Sequence, residues 1–465
     1  MFKINFNNPI KVHFIGIGGI SMSGLAELLH TIGFKITGSD VKQSKITDHL
    51  ESIGIQVFIG QRGSNISPDY DLVVYTPAVK EDNPEYKEVI SLGLPMIDRA
   101  ELLGQVMSRY SNAIAVAGTH GKTTTTSMLS LVLLEAGLDP TISLGGILGN
   151  IGGNLRIGQS EHFITEACEY TDSYLKFNPT KSIILNVEAE HLDYFKDLET
   201  VRKSFKNFAN KLPDDGLLII NGDIVDVSYF TQDLPFKFIS YSMNGNQIPG
   251  SLHHYSAANI RYDEAGLGQY DLLEDGTFIT EIALNVIGAH NISNSLAVIG
   301  LARSLNISYE VIKTALLQFT GTERRFQKKG VIGGITIIDD YAHHPTEVAA
   351  TLTAAKNYPH KDTWCVFQPH TYTRMKTFLK EFAKALTLAD KVVLADIYAA
   401  REANPGDISS MNLLEELHKL GVEAYYFPSF DEIENFLLEK CTNGDLLITM
   451  GAGDIVTVGE SILGL

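Results

Sequence analysis

The sequence predicts an α/β protein of three domains, each built around a mainly parallel sheet. Three stretches of the chain alternate short strand-like apolar runs with helix-like segments, the pattern of parallel sheets covered by helices. In two of these stretches a strand-like run leads into a glycine-rich turn, at GIGG and at AGTHGK. The 465 residues also suffice for about three domains of roughly 150 residues each.

Composition limits the partners and the compartment. The formal net charge of −18 argues against nucleic acids and anionic membranes, because both would be repelled. The N-terminus lacks the apolar core of a signal peptide, and no uninterrupted apolar run reaches about 18 residues. The three cysteines are far apart in the sequence, which suits a reducing compartment. We therefore expect a cytoplasmic protein, a monomer or a homodimer, with no nucleic-acid or membrane partner.

The first domain, expected over residues 1–108, is Rossmann-like. The strand-like runs KVHFIGI, KITGSD, QVFIG and DLVVYTPA are joined by helix-like segments. The turn GIGGISMSG approaches the G-x-G-x-x-G pattern of dinucleotide-binding folds, but Ser21 stands at the third glycine position. Asp40 follows the second strand, where an acidic partner for a ribose is expected. These residues leave open NAD, another diphosphate, and a tight turn without a ligand.

The second domain, expected over residues 109–320, is P-loop ATPase-like. The strand AIAVAG leads through a glycine-bearing turn into a helix, so backbone N–H groups and the helix N-terminus face an anion. Lys122 is expected on phosphate oxygens and Thr123 on Mg²⁺, although the loop is two residues shorter than G-x-x-x-x-G-K-[ST]. The residues expected to bind the phosphates are Gly118, Thr119, His120, Gly121, Lys122, Thr123 and Thr124.

Acidic residues stand at the ends of two later strands of this domain. Glu166 ends the strand HFITEA, Glu169 follows three positions later, and His191 follows the strand SIILNV. Because the carboxyl ends of parallel strands meet at one edge of a sheet, metal ligands are expected there, beside the phosphate loop. The many short β-like runs from Gly216 to Val286 suggest an added antiparallel section.

The third domain, expected over residues 321–465, is again Rossmann-like, with the strand-like runs GITIIDD, WCVFQP, KVVLADI, EAYYFP and DLLITMG. The adjacent His343 and His344 invite a zinc interpretation. Adjacent histidines on an extended chain point apart, and no third ligand accompanies them at a suitable spacing, so we discount zinc. A capped helix start before Pro345 is equally compatible with the local sequence.

Eight stretches, in order along the chain, resemble the Mur ligases, ATP-dependent amide-forming enzymes related to folylpolyglutamate synthetase. They are VHFIGIGGISMSGLAELL, AVAGTHGKTTTTSML, NVEAEHLDYF, GAHNISNSLAV, GTERRF, DDYAHHPTEV, FQPHTYTR and MGAGDI. Within the family the chain is most similar to the members that join L-alanine to UDP-N-acetylmuramate. The alternatives are the family's murein tripeptide-recycling ligase, an NAD-dependent dehydrogenase, which would leave GTHGKTTTT and GTERRF unused, and a nucleotide-regulated binding protein without catalysis.

The resemblance implies roles for individual residues. Glu166 would ligate the Mg²⁺ that joins the γ-phosphate of ATP to the reacting carboxylate, and His191 would support a second metal or the substrate. Asn291 and Asn294 would contact adenine. The residues expected to hold the UDP part of the substrate are Gly16, Gly18, Gly19, Ser21, Met22 and Ser23, with Asp40 nearby. Those expected near the nucleotide, the amino acid or the substrate carboxylate are Arg325, Asp340, His343, His344, His370 and Arg374.

Two positions depart from the family pattern. Cys168 stands where the family often has Asp, and Thr371 stands where it often has a second Arg after the His. One cationic contact is therefore expected to be absent or to come from another residue such as Lys376.

Overall fold

The computed structural model describes residues 2–191, 194–400 and 402–465 of the chain. These residues form three sheets in succession, each covered by helices, which confirms the predicted three-domain α/β fold. The boundaries after residues 108 and 320 stay predictions.

The first sheet is Rossmann-like. Its elements are β1 (Lys11–Ile15), α1 (Ile20–Thr31), β2 (Lys35–Asp40), α2 (Lys45–Ser52), β3 (Gln56–Ile59), β4 (Leu72–Tyr75), α3 (Pro84–Leu92), β5 (Met96–Asp98) and α4 (Arg99–Met107). The five strands run in the order β3-β2-β1-β4-β5, and every pair is parallel. After β1 the chain turns sharply at Gly16, whose φ of +84° is readily adopted only by glycine.

The central domain holds the largest sheet. Its first elements are β6 (Asn112–Ala117), α5 (Lys122–Glu135), β7 (Thr141–Leu148), β8 (Gly153–Arg156), β9 (His162–Ala167), β10 (Lys181–Ile184), α6 (Leu198–Ala209) and β11 (Leu217–Asn221). The remaining ones are α7 (Ser228–Thr231), β12 (Lys237–Ser242), β13 (His254–Tyr262), β14 (Leu267–Glu274), β15 (Thr277–Ile287), α8 (Ala289–Ser304) and α9 (Tyr309–Gln318). The ten strands run in the order β15-β14-β13-β12-β11-β10-β6-β9-β7-β8.

The expected antiparallel section is correct only in part. β13, β14 and β15 pair antiparallel, as their closely spaced turns require. β11 and β12 instead pair in parallel, because α6 and α7 carry the chain back across the sheet before each strand begins.

The C-terminal domain contains β16 (Gln327–Ile332), β17 (Ile335–Asp340), α10 (Pro345–Ala355), β18 (Thr363–Phe367), α11 (Tyr372–Thr377), α12 (Leu379–Leu386), β19 (Lys391–Leu394), α13 (Ser410–Lys419), β20 (Glu423–Tyr426), α14 (Phe430–Lys440), β21 (Leu446–Met450) and α15 (Val456–Leu463). The strand order is β16-β17-β21-β18-β19-β20, parallel except for the β16–β17 hairpin. Within the described residues, no helix has the length and apolar character needed to cross a membrane.

Candidate active site

The loop between β6 and α5 has the strand–turn–helix form that the sequence predicts. Gly118 and Gly121 adopt φ values of +154° and +84°, which turn the chain tightly into α5. Asn186, just after β10, fixes the loop, because its side chain accepts from His120 N at 2.7 Å and donates to His120 O at 3.1 Å. A side chain at Gly121 would put its Cβ 2.8 Å from Asn294 Oδ1. The loop is therefore shaped by its neighbours as well as by its glycines.

Lys122 lies at the first position of α5, with its ammonium group curled over the loop. Its Nζ donates to Gly118 O at 2.5 Å and to Thr119 O at 3.0 Å, and it pairs with Glu169 Oε2 at 3.0 Å. Burial alone would lower the pKa of Lys122, but the carboxylate of Glu169 outweighs it and raises the pKa. The lysine is therefore a fixed positive charge at the mouth of the loop.

Thr123 and Glu166 form an oxygen-rich pair beside this lysine. Thr123 Oγ1 donates to Glu166 Oε2 at 2.9 Å, and Gly145 N donates to Glu166 Oε1 at 2.6 Å. Glu169 Oε1 is buried and has no hydrogen-bond partner among the described residues. Hydroxyl and carboxylate oxygens are the ligands that Mg²⁺ prefers, so the donor set fits this ion.

His191 contacts Glu169 rather than Glu166. Its Nε2 is 3.5 Å from Glu169 Oε1, and its ring lies 4.7 Å from that of Tyr170. Burial lowers the pKa of His191, so the imidazole is neutral at pH 7. Glu169, the residue that stands three positions after Glu166 in the sequence, thus connects the loop lysine with the histidine.

A cavity of about 390 Å³ extends from the loop to the junction of the second and third domains. Asn291 and Asn294 line it from α8, and Asn294 Nδ2 donates to Asn291 Oδ1 at 3.1 Å. Arg325 and Asp340 line it from the third domain. Burial raises the pKa of Asp340 to about 6. The cavity therefore brings four of the predicted nucleotide residues together, with His120, Gly121 and Thr124 of the loop on its wall.

A second pocket, of about 670 Å³, opens at the glycine-rich turn of the first domain, and we call it the diphosphate pocket. Its lining residues are Gly16, Gly18, Gly19, Asp40, Val41, Gln61, Thr76, Ala78, Val79, Lys80, Asp82, Asn83 and Pro84. The carboxylate of Asp40 accepts from Gly18 N at 2.9 Å, which ties the turn to the end of β2.

The helix-start residues of this turn have different surroundings. Ser21 Oγ accepts from Arg99 Nη1 at 2.9 Å. Met22 is buried in the core of the domain. Ser23 is also buried, with its N–H bonded to Gly19 O at 2.9 Å and its hydroxyl to Ile20 O at 2.9 Å. The structure thus places none of Ser21, Met22 and Ser23 in the lining of the pocket: Ser21 contacts Arg99, and the side chains of Met22 and Ser23 are buried.

Residues of the second and third domains meet across the cavity in a set of polar contacts that we call the domain seam. It comprises His120, Glu188 and Glu190 of the second domain and His344, Thr346, Glu347 and Arg374 of the third. His120 Nδ1 lies 3.1 Å from Glu347 Oε1, and Thr346 Oγ1 donates to Glu188 Oε2 at 2.9 Å. Sequence reasoning assigned no role to the three glutamates, although they stand in the quoted motifs NVEAEH and HHPTE.

Arg374 makes a buried ion pair in the seam. Its Nε and Nη2 donate to Glu190 Oε1 at 3.1 and 2.9 Å, and its Nη1 donates to His370 O at 3.1 Å. Burial would raise the pKa of Glu190, but Arg374 and the nearby histidines lower it to about 2. The charge of Arg374, which the sequence assigned to recognition of a substrate carboxylate, is thus already paired within the protein.

The histidine pair after β17 is divided between two environments. His343 Nδ1 lies 2.9 Å from Tyr341 O, the His343 ring lies 5.7 Å from the His370 ring, and burial lowers the pKa of His343 to about 4. His344 caps α10, and its Nε2 lies 3.7 Å from Glu190 Oε2. The two rings have different aromatic neighbours, His370 for His343 and Phe378 for His344.

A different set of three residues has metal-ligand spacing. Ligand atoms of His120, Glu188 and His344 lie within 4.8 Å of one another. Burial would lower the pKa of His120, but Glu347 and Glu188 outweigh it and raise the pKa to about 9. His120 also contacts Glu347 and His344 also contacts Glu190, so we describe this set as part of the seam.

The two departures from the family pattern have structural neighbours of their own. Thr371 is buried at the start of α11, and its N–H donates to Tyr398 O at 2.9 Å. Lys376 pairs with Asp407 at 2.5 Å on the surface and does not replace the absent arginine. Burial raises the pKa of the Cys168 thiol, which therefore stays neutral.

Comparison with known proteins agrees with this architecture over nearly the whole chain. Three family models match in order: Mur ligase family, catalytic domain (residues 11–111), Mur ligase middle domain (116–302), and Mur ligase, glutamate ligase domain (324–453). The chain belongs to the Mur ligase family. This Mur ligase is 61% identical, over 100% of both chains, to the UDP-N-acetylmuramate–L-alanine ligase of Lachnoclostridium phytofermentans. It is 56% identical, again over 100% of both, to that of Lachnospira eligens.

Solved structures show the same similarity. The UDP-N-acetylmuramate-alanine ligase of Thermotoga maritima superposes on this Mur ligase with a TM-score of 0.81 at 29% identity, covering 98% of both chains. A murein peptide ligase of Psychrobacter arcticus shares the fold, with a TM-score of 0.71 at 24% identity and 98% of both chains covered. The family resemblance inferred from eight short motifs is thereby confirmed, and the individual site residues stay predictions.

Proposed function

We propose that the protein is an ATP-dependent ligase that joins L-alanine to the lactyl carboxylate of UDP-N-acetylmuramate, in the synthesis of peptidoglycan precursors. The observation that carries this proposal is one arrangement of charges. At the start of α5, Lys122 pairs with Glu169 and the neighbouring Thr123 donates to Glu166, so the two glutamates at the end of β9 lie beside the phosphate loop. The relatives that are identical at more than half of their positions carry the same activity in their names.

The chemistry follows from what a carboxylate needs before an amine can attack it. A carboxylate is unreactive toward amines because an oxide ion would have to leave. Attack of the carboxylate oxygen on the γ-phosphorus of ATP releases ADP and gives an acyl phosphate. The amino group of L-alanine then attacks the carbonyl carbon, inorganic phosphate leaves, and the nitrogen loses a proton.

The residues of the loop supply the electrostatic part of this reaction. Lys122, the first residue of α5, would contact terminal phosphate oxygens, and Arg325 lines the cavity from the third domain. Thr123 and Glu166 would hold Mg²⁺, with Glu169 adjacent. Bound Mg²⁺ neutralises charge on the phosphate oxygens. Positioned charge of this kind is the main requirement of phosphoryl transfer.

The domain seam supplies the second requirement, exclusion of water. An acyl phosphate is hydrolysed if water reaches it, so the site has to close during turnover. The pair Glu190–Arg374 and the contact of His120 with Glu347 draw the third domain against the loop. We infer that closure at the seam precedes the attack of the amine. We also infer a cytoplasmic enzyme, because ATP and nucleotide sugars are supplied there.

The decisive experiment measures phosphate release with ATP, UDP-N-acetylmuramate and a panel of acceptors. The panel contains L-alanine, glycine, L-serine and the murein tripeptide, and the Lys122→Ala variant gives the background. Release that depends on both the sugar nucleotide and L-alanine is expected. Preference for the tripeptide would instead identify a recycling ligase, and nicotinamide reduction without phosphate release would identify a dehydrogenase.

A further inference from the structure

Glu85 is a carboxylate buried inside the first domain, and the proposed chemistry makes no use of it. It stands in the first turn of α3 with a fully buried side chain. Its oxygens accept from Ser39 Oγ at 2.5 Å, from Asn65 Nδ2 at 2.5 Å and from Arg62 N at 3.4 Å. His13 Nε2, also fully buried, lies 3.9 Å away. Burying a carboxylate costs folding free energy unless the charge is paired, so we expect a functional reason for Glu85 in the residues that it contacts.

The first partner of Glu85 fixes the glycine-rich turn. Ser39 lies in β2, and its backbone carbonyl accepts from Gly16 N at 2.8 Å and from Ile17 N at 2.9 Å. The Ser39 hydroxyl is held by Glu85 on the other side. If Glu85 moved, Ser39 would move with it, and so would the glycine-rich turn that Ser39 holds at the diphosphate pocket.

The second partner fixes the opposite wall of the pocket. Asn65 Nδ2 donates to Gly60 O at 2.9 Å as well as to Glu85, and Gly60 N donates to Asp40 O at 2.8 Å. These bonds set the path of the loop after β3, which carries Gln61 into the pocket lining.

The third wall is the start of α3 itself. Asn83 caps this helix by accepting from Glu85 N at 2.9 Å, and its Nδ2 donates to Gln61 Oε1 at 2.6 Å. Asn83 and Pro84 line the pocket, whereas Glu85 lies behind the wall and is not part of the lining. One carboxylate thus joins three segments that meet at the pocket without facing it.

We propose that Glu85 is a positioning residue for the diphosphate pocket, which holds the glycine-rich turn, the loop after β3 and the start of α3 at the spacing that the uridine diphosphate group requires. The inference rests on the proposed function, in which UDP-N-acetylmuramate occupies this pocket. Removing the bonds of Glu85 should loosen the binding of the sugar nucleotide and leave the distant phosphoryl transfer unchanged.

The test compares Glu85→Gln and Ser39→Ala with the matched control Glu88→Gln, one turn further along α3. An amide at position 85 keeps the shape but removes the charge, so the charge-assisted bonds from Asn65 and Arg62 become neutral ones and the Ser39 hydroxyl has to accept from the amide instead of donating. Binding of UDP and of UDP-N-acetylmuramate to the full chain is measured by calorimetry, and the steady-state constants are measured for all three substrates.

For Glu85→Gln we expect Kd and KM for the sugar nucleotide to rise about tenfold, with kcat and the KM values for ATP and L-alanine within about twofold of wild type. Ser39→Ala should shift the same constants less. The double variant should lose less than the product of the single losses, because both changes weaken the same contact between positions 39 and 85. Glu88→Gln should behave as wild type.

Wild-type affinity for UDP in both single variants would overturn the inference, as would a fall in kcat with an unchanged KM for the sugar nucleotide. If Glu85→Gln does not fold, Ser39→Ala decides alone, since it removes one hydroxyl and leaves the carboxylate bonded to Asn65. A wild-type protein that binds neither UDP nor UDP-N-acetylmuramate would contradict the proposed function as well. The binding measurement on the wild-type protein therefore tests the proposed function separately, before any variant is compared.

Discussion

At the scale of single residues, the loop lysine is the strongest candidate for an essential group. Lys122 is held by two loop carbonyls and by Glu169, all within 3.0 Å, so its charge is positioned before any ligand arrives. Preorganised charge of this kind is more effective than a mobile lysine, because no reorganisation is needed during the reaction.

Replacement of this lysine should separate catalysis from folding. We expect Lys122→Ala to lower kcat about a hundredfold to a thousandfold, the usual effect of removing one positioned donor from a transition state. The variant should still fold, but its thermal midpoint should lie below that of the exposed-lysine control Lys203→Ala, because the buried Glu169 loses its counter-charge. Phosphate release and a thermal melt measure the two quantities, and near-normal turnover would contradict the phosphate-loop assignment.

The metal assignment makes a separate prediction at Glu166. Glu166→Gln keeps the acceptor for Gly145 N but removes the charge beside Thr123, so Mg²⁺ should bind about tenfold to hundredfold more weakly, from roughly 1.5–3 kcal/mol for a charged contact. Activity should fall at low Mg²⁺ and partly recover at high Mg²⁺. The control is Glu161→Gln, just before β9. If activity at low Mg²⁺ is unaffected, Glu169 becomes the candidate ligand.

At the scale of helices, strands and loops, periodicity and turn chemistry predicted most of the architecture. KITGSD and HFITEA coincide with β2 and β9, because short strand-like segments that alternate with helix-like ones predict the strands of a parallel sheet. The same local signals could not predict the parallel pairing of β11 and β12, which depends on where α6 and α7 place the chain. They also could not reveal that Glu190 and Arg374 pair, since 184 residues separate them.

The contact between the loop and α10 should depend on pH. His120 faces Glu347, Glu188 and the ring of His344, and its pKa is raised from an ordinary 6.5 to about 9. A pKa that is higher in the folded state means that stabilisation is complete below about pH 6.5 and is lost as pH rises through about 9. The pKa of Glu347 is lowered, although burial opposes this, so its contribution is lost only in acid.

The measurement is the difference in thermal midpoint between wild type and His120→Gln across this range. The difference should be largest near neutral and mildly acidic pH and should shrink as the pH approaches about 9. His49→Gln, a change to an exposed histidine of the first domain, serves as the control. A difference that stays constant as the pH is raised to about 9 would show that His120 is neutral in the folded protein.

At the scale of the whole molecule, the site is assembled from parts that no domain contains alone. The first domain offers the diphosphate pocket, the second the phosphate loop, and the third Arg325, Asp340 and the far side of the seam. Under the proposed function, a protein of net charge −18 holds ligands with several phosphates, so local donors would have to outweigh the distant acidic surface. We expect closure of the third domain to bring the last of those donors to the site.

The pair Glu190–Arg374 should therefore control closure more than stability. In Glu190→Gln the guanidinium of Arg374 stays buried without a full counter-charge, and breaking a buried pair from one side costs about 3–5 kcal/mol. Because the cost falls on the closed arrangement, we expect kcat to drop at least about tenfold, while UDP binding in the first domain stays unchanged.

Small-angle scattering of the Glu190→Gln variant with all ligands present should show a larger radius of gyration than for wild type. Glu190→Asp keeps the charge and should be milder, and Glu199→Gln, on the exposed side of α6, should have no effect. If Glu190→Gln turns over and compacts like wild type, Arg374 acts without Glu190 and its guanidinium is free to meet the substrate carboxylate.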